Sequence, residues 1–271
     1  IYSRTVLKAL EHLPSHFWLV YLDDIIIHSK STEDHLGHLE KILDAHARAG
    51  MKLKLSKCLI AKQTVTYLGH QVSEDGITMT PEYVERIRDW PKPTTPTQLR
   101  SFLGVVSYYR SFFPKFAELT AKLQGIKNHP KLTWDKELDQ DFQQIKEMFA
   151  TAPLRHYPDF SKDGGRFILE TDWSKDAKAA ILLQEHPDGV NRFIGAVAHK
   201  CSAAERNYSA NKGELAAAVM GMRSWEHILG YKPFVLRTDS AAVTHLHNLK
   251  EQRGIYSRWN DTVSLFKFET E

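Results

Sequence analysis

The sequence predicts an α/β fold, and three observations carry that reading. Over 166–266 the apolar pattern runs strand, strand, strand, helix, strand, helix, the order of a mixed sheet covered by helices. Near the N-terminus an apolar, β-branched run at 17–29 is interrupted only by Asp23-Asp24, which reads as a hairpin. Between the two lies a helical stretch bounded by proline- and glycine-rich segments at 91–96 and 151–165. Three domains are expected, at 1–92, 93–155 and 156–271.

The elements follow in order. A helix over 1–13 places Val6, Leu7 and Leu10 on one face. The 17–29 hairpin comes next, with both carboxylates at its tip. Ser31 caps a helix over 31–49, with Asp34 at a capping-box-like offset, a stripe of Leu36, Leu39 and Leu43, and Gly50 as the stop. Met51, Leu53 and Leu55 alternate with Lys52 and Lys54 as in a half-exposed strand. A further strand segment at 64–73 is broken at Gly69, and Asp75-Gly76 forms a turn. Thr80-Pro81 opens a short helix to Trp90. Thr95, Pro96 and Gln98 spell a capping box ahead of a stripe of Leu99, Phe102, Leu103 and Val106. Another helix covers 139–150. Strands are then expected at 166–171, 178–184 and 191–198, a helix at 203–229, a strand at 234–238, and helices at 240–249 and 254–266. Residues 265–269 alternate like the start of one more strand.

Composition narrows the function classes. With 42% hydrophobic residues the chain can build a core, so disorder is excluded as its main state. No apolar run approaches the ~18 residues of a membrane-spanning helix. Cys58 and Cys201 cannot form a disulfide scaffold and neither has a partner at metal-binding spacing, which fits a reducing compartment. The net charge of +3 is too small to announce nucleic acid, yet 45–73 and 91–117 carry basic residues and no acidic one, as phosphate-contacting stretches do.

Carboxylates mark the candidate sites. Asp172 and Asp239 each follow an apolar strand, where open α/β sheets place functional residues. Glu214 lies near the start of the intervening helix. If the two strands are parallel neighbours, the aspartates come within reach of one cation and the helix brings Glu214 over them. Such hard oxygen donors suit Mg²⁺ or Mn²⁺, two of which serve phosphodiester cleavage. Asp23 and Asp24, held close to a sheet core, repel one another unless a cation sits between them. Among the histidines, His35, His38 and His46 share one helix, but no cysteine or acid completes a zinc set. Tyr108, Tyr109, Phe112 and Phe113 fit a small core better than a base-stacking platform.

Tyr21-Leu22-Asp23-Asp24, with the apolar run that follows it, resembles the palm motif of reverse transcriptases, most closely those of gypsy-type LTR retrotransposon Pol polyproteins. Tyr67-Leu68-Gly69-His70 resembles the primer grip of that family. Gln98-Leu99-Arg100-Ser101-Phe102-Leu103-Gly104 and Tyr108-Tyr109-Arg110 resemble the thumb. Leu169-Glu170-Thr171-Asp172, Glu205-Arg206-Asn207-Tyr208, Glu214-Leu215 and Arg237-Thr238-Asp239 resemble the tethered RNase H domain.

The resemblance implies a palm hairpin and helical thumb followed by an RNase H-like domain. It makes Asp23 and Asp24 polymerase carboxylates, and Asp172, Glu214 and Asp239 three of four RNase H carboxylates. Tyr67, Leu68 and Gly69 would approach the primer, while Arg100 and Gly104 would face the duplex. It also implies Mg²⁺ or Mn²⁺, two ions per site. The partners would be an RNA–DNA hybrid or template–primer duplex and deoxynucleotides, with a homodimer allowed, no membrane, and an intracellular setting in a cytoplasmic particle or the nucleus. The family's earlier palm aspartate, its fingers and its fourth RNase H carboxylate have no counterpart here. The expectation is therefore a piece of a longer polypeptide that binds hybrid without polymerising. The competing expectation is an inactive or domesticated element that only binds nucleic acid.

Overall fold

The computed structural model describes residues 2–238 and 254–271, and the chain divides into two compact units, Ile1–Glu74 and Asp75–Glu271. Asp239 and the helix expected at 240–249 lie outside the described residues.

In the first unit, α1 (Tyr2–Leu10) and α2 (Thr32–Arg48) enclose a small core of Val6, Leu10, Phe17, Ile42 and Ala45. Ser31 caps α2 as expected, its side chain accepting from the Asp34 amide at 3.1 Å. The hairpin pairs β1 (Trp18–Tyr21) with β2 (Asp24–Ile27), and Trp18, Val20, Ile25 and Ile27 lean on the same core. A second hairpin joins β3 (Val65–Tyr67) to β4 (His70–Val72). The strand expected at 51–55 does not form: 51–54 is irregular and Leu55–Lys57 is a 3₁₀ turn. Alternation alone cannot make a strand without a partner to take its backbone hydrogen bonds, and Leu53 and Leu55 stay exposed.

The second unit opens with β5 (Ile77–Met79) and holds two cores. The first gathers α3 (Pro81–Arg88), α4 (Pro96–Ser107), α5 (Phe116–Ile126) and α6 (Lys136–Ala150) around Ile87, Leu99, Phe102, Tyr109, Leu123 and Phe142. The capping box of Thr95 and Gln98 is present, and Asp135 caps α6 by accepting from the Leu138 amide at 2.8 Å. The sequence does not announce α5. It has no side-chain cap, and Thr120 interrupts its apolar stripe by bonding back to the Phe116 carbonyl at 2.7 Å. The proline-rich stretch at 91–96 runs along this core, where Pro93 accepts from the Trp134 indole at 2.8 Å.

The second core lies under a five-stranded mixed sheet in the order β10-β9-β6-β7-β8. Its strands are β6 (Phe167–Trp173), β7 (Ala177–Gln184), β8 (Arg192–Lys200), β9 (Phe234–Arg237) and β10 (Phe268–Thr270). β6 runs parallel to β9, and β9 to β10, while β6, β7 and β8 are antiparallel. Helix α7 (Ala210–Ser224) is buried nearly all round between this sheet and α9 (Ile255–Val263). The single helix expected at 203–229 is instead a 3₁₀ turn, α7, and the short α8 (Glu226–Leu229). Trp225 leaves the helical region (φ −121°, ψ 29°) and joins the core, which divides α7 from α8.

Candidate functional site

The first unit presents its carboxylates on a tight turn. Only Leu22 and Asp23 form the loop, so Asp23 stands at the tip and Asp24 opens β2, paired with Tyr21. This corrects the expectation of both acids at the tip. Leu22 adopts a positive φ of 56°, a conformation glycine prefers, so the tip is strained, at a cost of about 1–3 kcal/mol. Both aspartates are exposed, as carboxylates open to a ligand must be. The β3–β4 turn is also left-handed, with φ 49° at Leu68 and 73° at Gly69, the signature of a tight two-residue hairpin. Burial raises the Tyr67 phenol above its usual range, and the negative charge of Asp24 raises it further. The fold therefore brings Tyr67 into the field of Asp24.

In the second unit, α4 turns Leu99, Phe102, Leu103 and Val106 inward and leaves Arg100, Gly104 and Tyr108 outward, one turn apart. Arg100 donates to the Lys127 carbonyl at 3.1 Å and to Thr97 Oγ1 at 3.0 Å, which fixes its guanidinium on the surface. Nothing lies within 4 Å of where a Gly104 side chain would begin, so the face is open there. Tyr109, Phe112 and Phe113 are core residues as expected, but Tyr108 is 55% exposed. The signal that could have singled it out is its i, i+4, i+8 spacing from Arg100 and Gly104.

The sheet end is built by β6 and α7. Asp172 does not follow its strand but lies within it, paired with Ala179, because the ladder runs on to Trp173 opposite Lys178. Strand alternation turns Trp173 toward α7 and Asp172 to the exposed side. Glu214 is the fifth residue of α7, and its Oε2 is shielded from water. Of the three acids expected at this end, Asp172 and Glu214 are described. Among the described residues no three His, Cys, Asp or Glu side chains form a group able to hold a metal.

Neighbouring charges are committed. Lys178 forms an ion pair with Glu205, whose carboxylate also accepts from the Ser202 amide at 2.8 Å. Burial pushes the Glu205 carboxyl up, but these hydrogen bonds outweigh it and hold the group at about 2. A depressed carboxylate stabilises the fold above its unfolded pKa of 4.5 and loses that contribution as pH falls toward 2. The unfolding free energy from urea titration should therefore fall between pH 4.5 and 2 by up to about 3 kcal/mol more in the parent than in Glu205→Gln. Equal drops would show that the pair does not stabilise the fold. His35 and His38 both hydrogen-bond Ser29 Oγ, at 3.2 and 2.8 Å, and His38 stacks on Phe17. His46 is buried and bonds the Ile42 carbonyl.

Comparison with known proteins matches the same two regions. Residues 1–72 match the family model described as reverse transcriptase (RNA-dependent DNA polymerase), and 134–236 match an RNase H-like domain found in reverse transcriptase. The chain is 34% identical over 273 residues to the retrovirus-related Pol polyprotein from transposon 297 of Drosophila melanogaster. That alignment takes in all of this chain and 25% of the polyprotein. It is 32% identical over 256 residues to a transposon Tf2-3 polyprotein of Schizosaccharomyces pombe, covering 92% of this chain and 19% of that one. The fold resembles the foamy viral protease-reverse transcriptase solved with double-stranded DNA (TM-score 0.80, 21% identity, 100% of this chain and 57% of that one). It also resembles the same viral protein solved with an RNA/DNA hybrid (TM-score 0.78, 20% identity, 99% and 37%). The chain thus spans a quarter or less of the curated relatives it matches. By these two matched regions, and by relatives that align along the whole of its length, the chain belongs to the reverse transcriptase and RNase H family of transposon Pol polyproteins.

Proposed function

We infer that the second unit hydrolyses the RNA strand of RNA–DNA hybrids, and that the first carries carboxylates of an RNA-directed DNA polymerase in the longer polyprotein. The observation that supports this reading is the packing of α7 on β6, where Gly213 rests on Trp173, each the chain neighbour of one of the two acids, Glu214 and Asp172. Asp239 follows β9, the parallel neighbour of β6, by sequence, and is assigned to the same site.

The donors suit a divalent cation of the Mg²⁺ or Mn²⁺ type: hard carboxylate oxygens, one of them shielded from water. When bound, such ions supply an activated water and charge stabilisation for the leaving oxygen, two ions per site in this reading. Asp172 and Glu214 would hold them, as Asp23 and Asp24 would in the first unit.

The outward lane of Arg100, Gly104 and Tyr108 suits a duplex backbone, which is gripped by shape and charge rather than by base edges. Tyr67, Leu68 and Gly69 would meet the primer strand. A hybrid or template–primer duplex is the assigned partner, in keeping with the duplexes bound by the foamy viral protein. Deoxynucleotide binding, dimerisation and an intracellular setting belong to the same proposal for the parent polyprotein.

The test is cleavage of a labelled RNA–DNA hybrid with Mg²⁺ or Mn²⁺, with Asp172→Asn alongside. Cleavage that falls to background in Asp172→Asn is the expected result. Cleavage that survives the substitution would sink the assignment, and hybrid binding without cleavage would favour a chain that only binds nucleic acid.

A further inference from the structure

Each of the two described carboxylates at the sheet end has a chain neighbour in one shared contact. Trp173 closes β6 one residue after Asp172, and Gly213 precedes Glu214 in α7. A Cβ on Gly213 would lie 2.6 Å from Cε3 of the Trp173 indole and closer still to Cδ2 and Cε2. The helix backbone therefore rests directly on the ring face, and only a residue without a side chain permits it. The ring is enclosed: its Nε1 is shielded from water and lies beside the Cys201 thiol.

A second notch lies two turns along α7. A Cβ on Gly221 would lie 2.9 Å from Ala180 Cβ and 3.1 Å from Leu169 Cδ1. The two notches give α7 two points of seating on the sheet, and so fix both its height and its tilt. The buried run from Leu215 to Met220 between them leaves no slack for the helix to slide. Seating at Gly221 sets the helix against the middle of β6, whereas seating at Gly213 sets the end that carries Glu214.

We propose that the indole–glycine contact between Trp173 and Gly213 is the spacer that sets how far Glu214 stands from Asp172. It makes both residues positioning residues for a divalent cation held by the two carboxylates. The proposal rests on the metal-dependent reading of this site. Its physical basis is stiffness: the ring is incompressible, and metal–oxygen bonds tolerate misplacement of only a few tenths of an ångström. A ring that merely filled the core would affect stability without a matching effect on the ion.

The test uses the whole chain and Mn²⁺ alone as the probe, read from the electron paramagnetic resonance of the free ion. Asp172→Asn identifies the binding that belongs to this site. Gly213→Ala, which lifts the helix, and Trp173→Ala, which lets it sink, are each expected to weaken that binding about tenfold or more. The double variant, in which the new methyl meets the space left by the indole, is expected to recover most of the loss. Trp173→Phe, which keeps a flat ring, is expected to stay near the parent. In hybrid cleavage the singles should lower kcat and leave KM unchanged, because the duplex-binding face is untouched.

Circular dichroism shows which variants fold. If Gly213→Ala does not, the comparison of Trp173→Ala with Trp173→Phe decides, since neither overpacks the contact. A folded Gly213→Ala or Trp173→Ala with parental Mn²⁺ affinity would overturn the spacer while leaving the site reading intact. So would a double variant whose loss equals the product of the two singles. If Asp172→Asn binds Mn²⁺ as the parent does, the site reading fails first and the spacer falls with it.

Discussion

Replacing Gly76 by alanine is expected to destabilise the second unit by about 3–5 kcal/mol, the sum of backbone strain and overpacking. Gly76 has φ 145°, which L side chains rarely adopt. A Cβ there would sit 3.0 Å from the Arg155 carbonyl carbon and closer still to its oxygen. That carbonyl cannot retreat, because it accepts from the Ile77 amide at 2.8 Å while the Arg155 amide donates back to Ile77 at 3.0 Å. For a unit of this size the loss corresponds to a melting point lower by roughly 6–20 °C. Gly125→Ala is the control: nothing lies within 4 Å of its Cβ position in α5, and about 0.5–1 kcal/mol of stability should be gained. Thermal unfolding of both variants checks the contrast, and an unchanged melting point for Gly76→Ala would refute the account of this junction.

Arg155→Ala is expected to cost about 2–3 kcal/mol and to loosen the coupling between the two cores of the second unit. The Arg155 side chain donates to the Ile194 carbonyl on β8 and to Ser111 Oγ, both at 3.0 Å, and lies 5.1 Å over the Phe112 ring. Beside it, the His156 amide donates to the Phe193 carbonyl at 2.7 Å, so this segment covers part of the β8 edge. Burial lowers the Arg155 pKa, and among the described residues no carboxylate pairs with it. Its stabilisation therefore comes from a fork of donors meeting acceptors on both cores, which lysine cannot reproduce. Hydrogen exchange should quicken along β8 before it quickens in β6 and β9. Arg155→Lys is expected to behave like Arg155→Ala. Parental exchange in both variants would mean that the cores are joined by other contacts.

The local signals in the sequence were strong wherever the answer was local. Ser31 and Thr95 with Gln98 announce helix starts because a cap is a bond between residues three apart, and Pro81 does so because its fixed φ suits the first helical position. The buried stripe of α4 follows from its 3.6-residue period, and the mixed sheet from the order of its apolar runs. The candidate acids could be named because charge at the ends of apolar strands is visible in one dimension. The corrections have a common cause. Alternation at 51–55 promised a strand and none formed, since pairing needs a second chain segment that no pattern supplies. Asp172 belongs inside β6 because Ala179 and Lys178 extend the ladder past it.

What the sequence by itself determined was therefore the set of elements, most of their boundaries, and the identity of the acidic and aromatic residues from which sites could be built. Only the tertiary structure decided that Tyr108 faces out while Tyr109 faces in, and that Lys178 is taken by Glu205. It alone set Gly213 on the face of Trp173, and Arg155 between the two cores. Each of these is a meeting of residues far apart in the chain, or a choice of side-chain direction made by packing. Caps and periodicity act over one or two turns of backbone, whereas close packing selects among compact arrangements that the same local preferences allow.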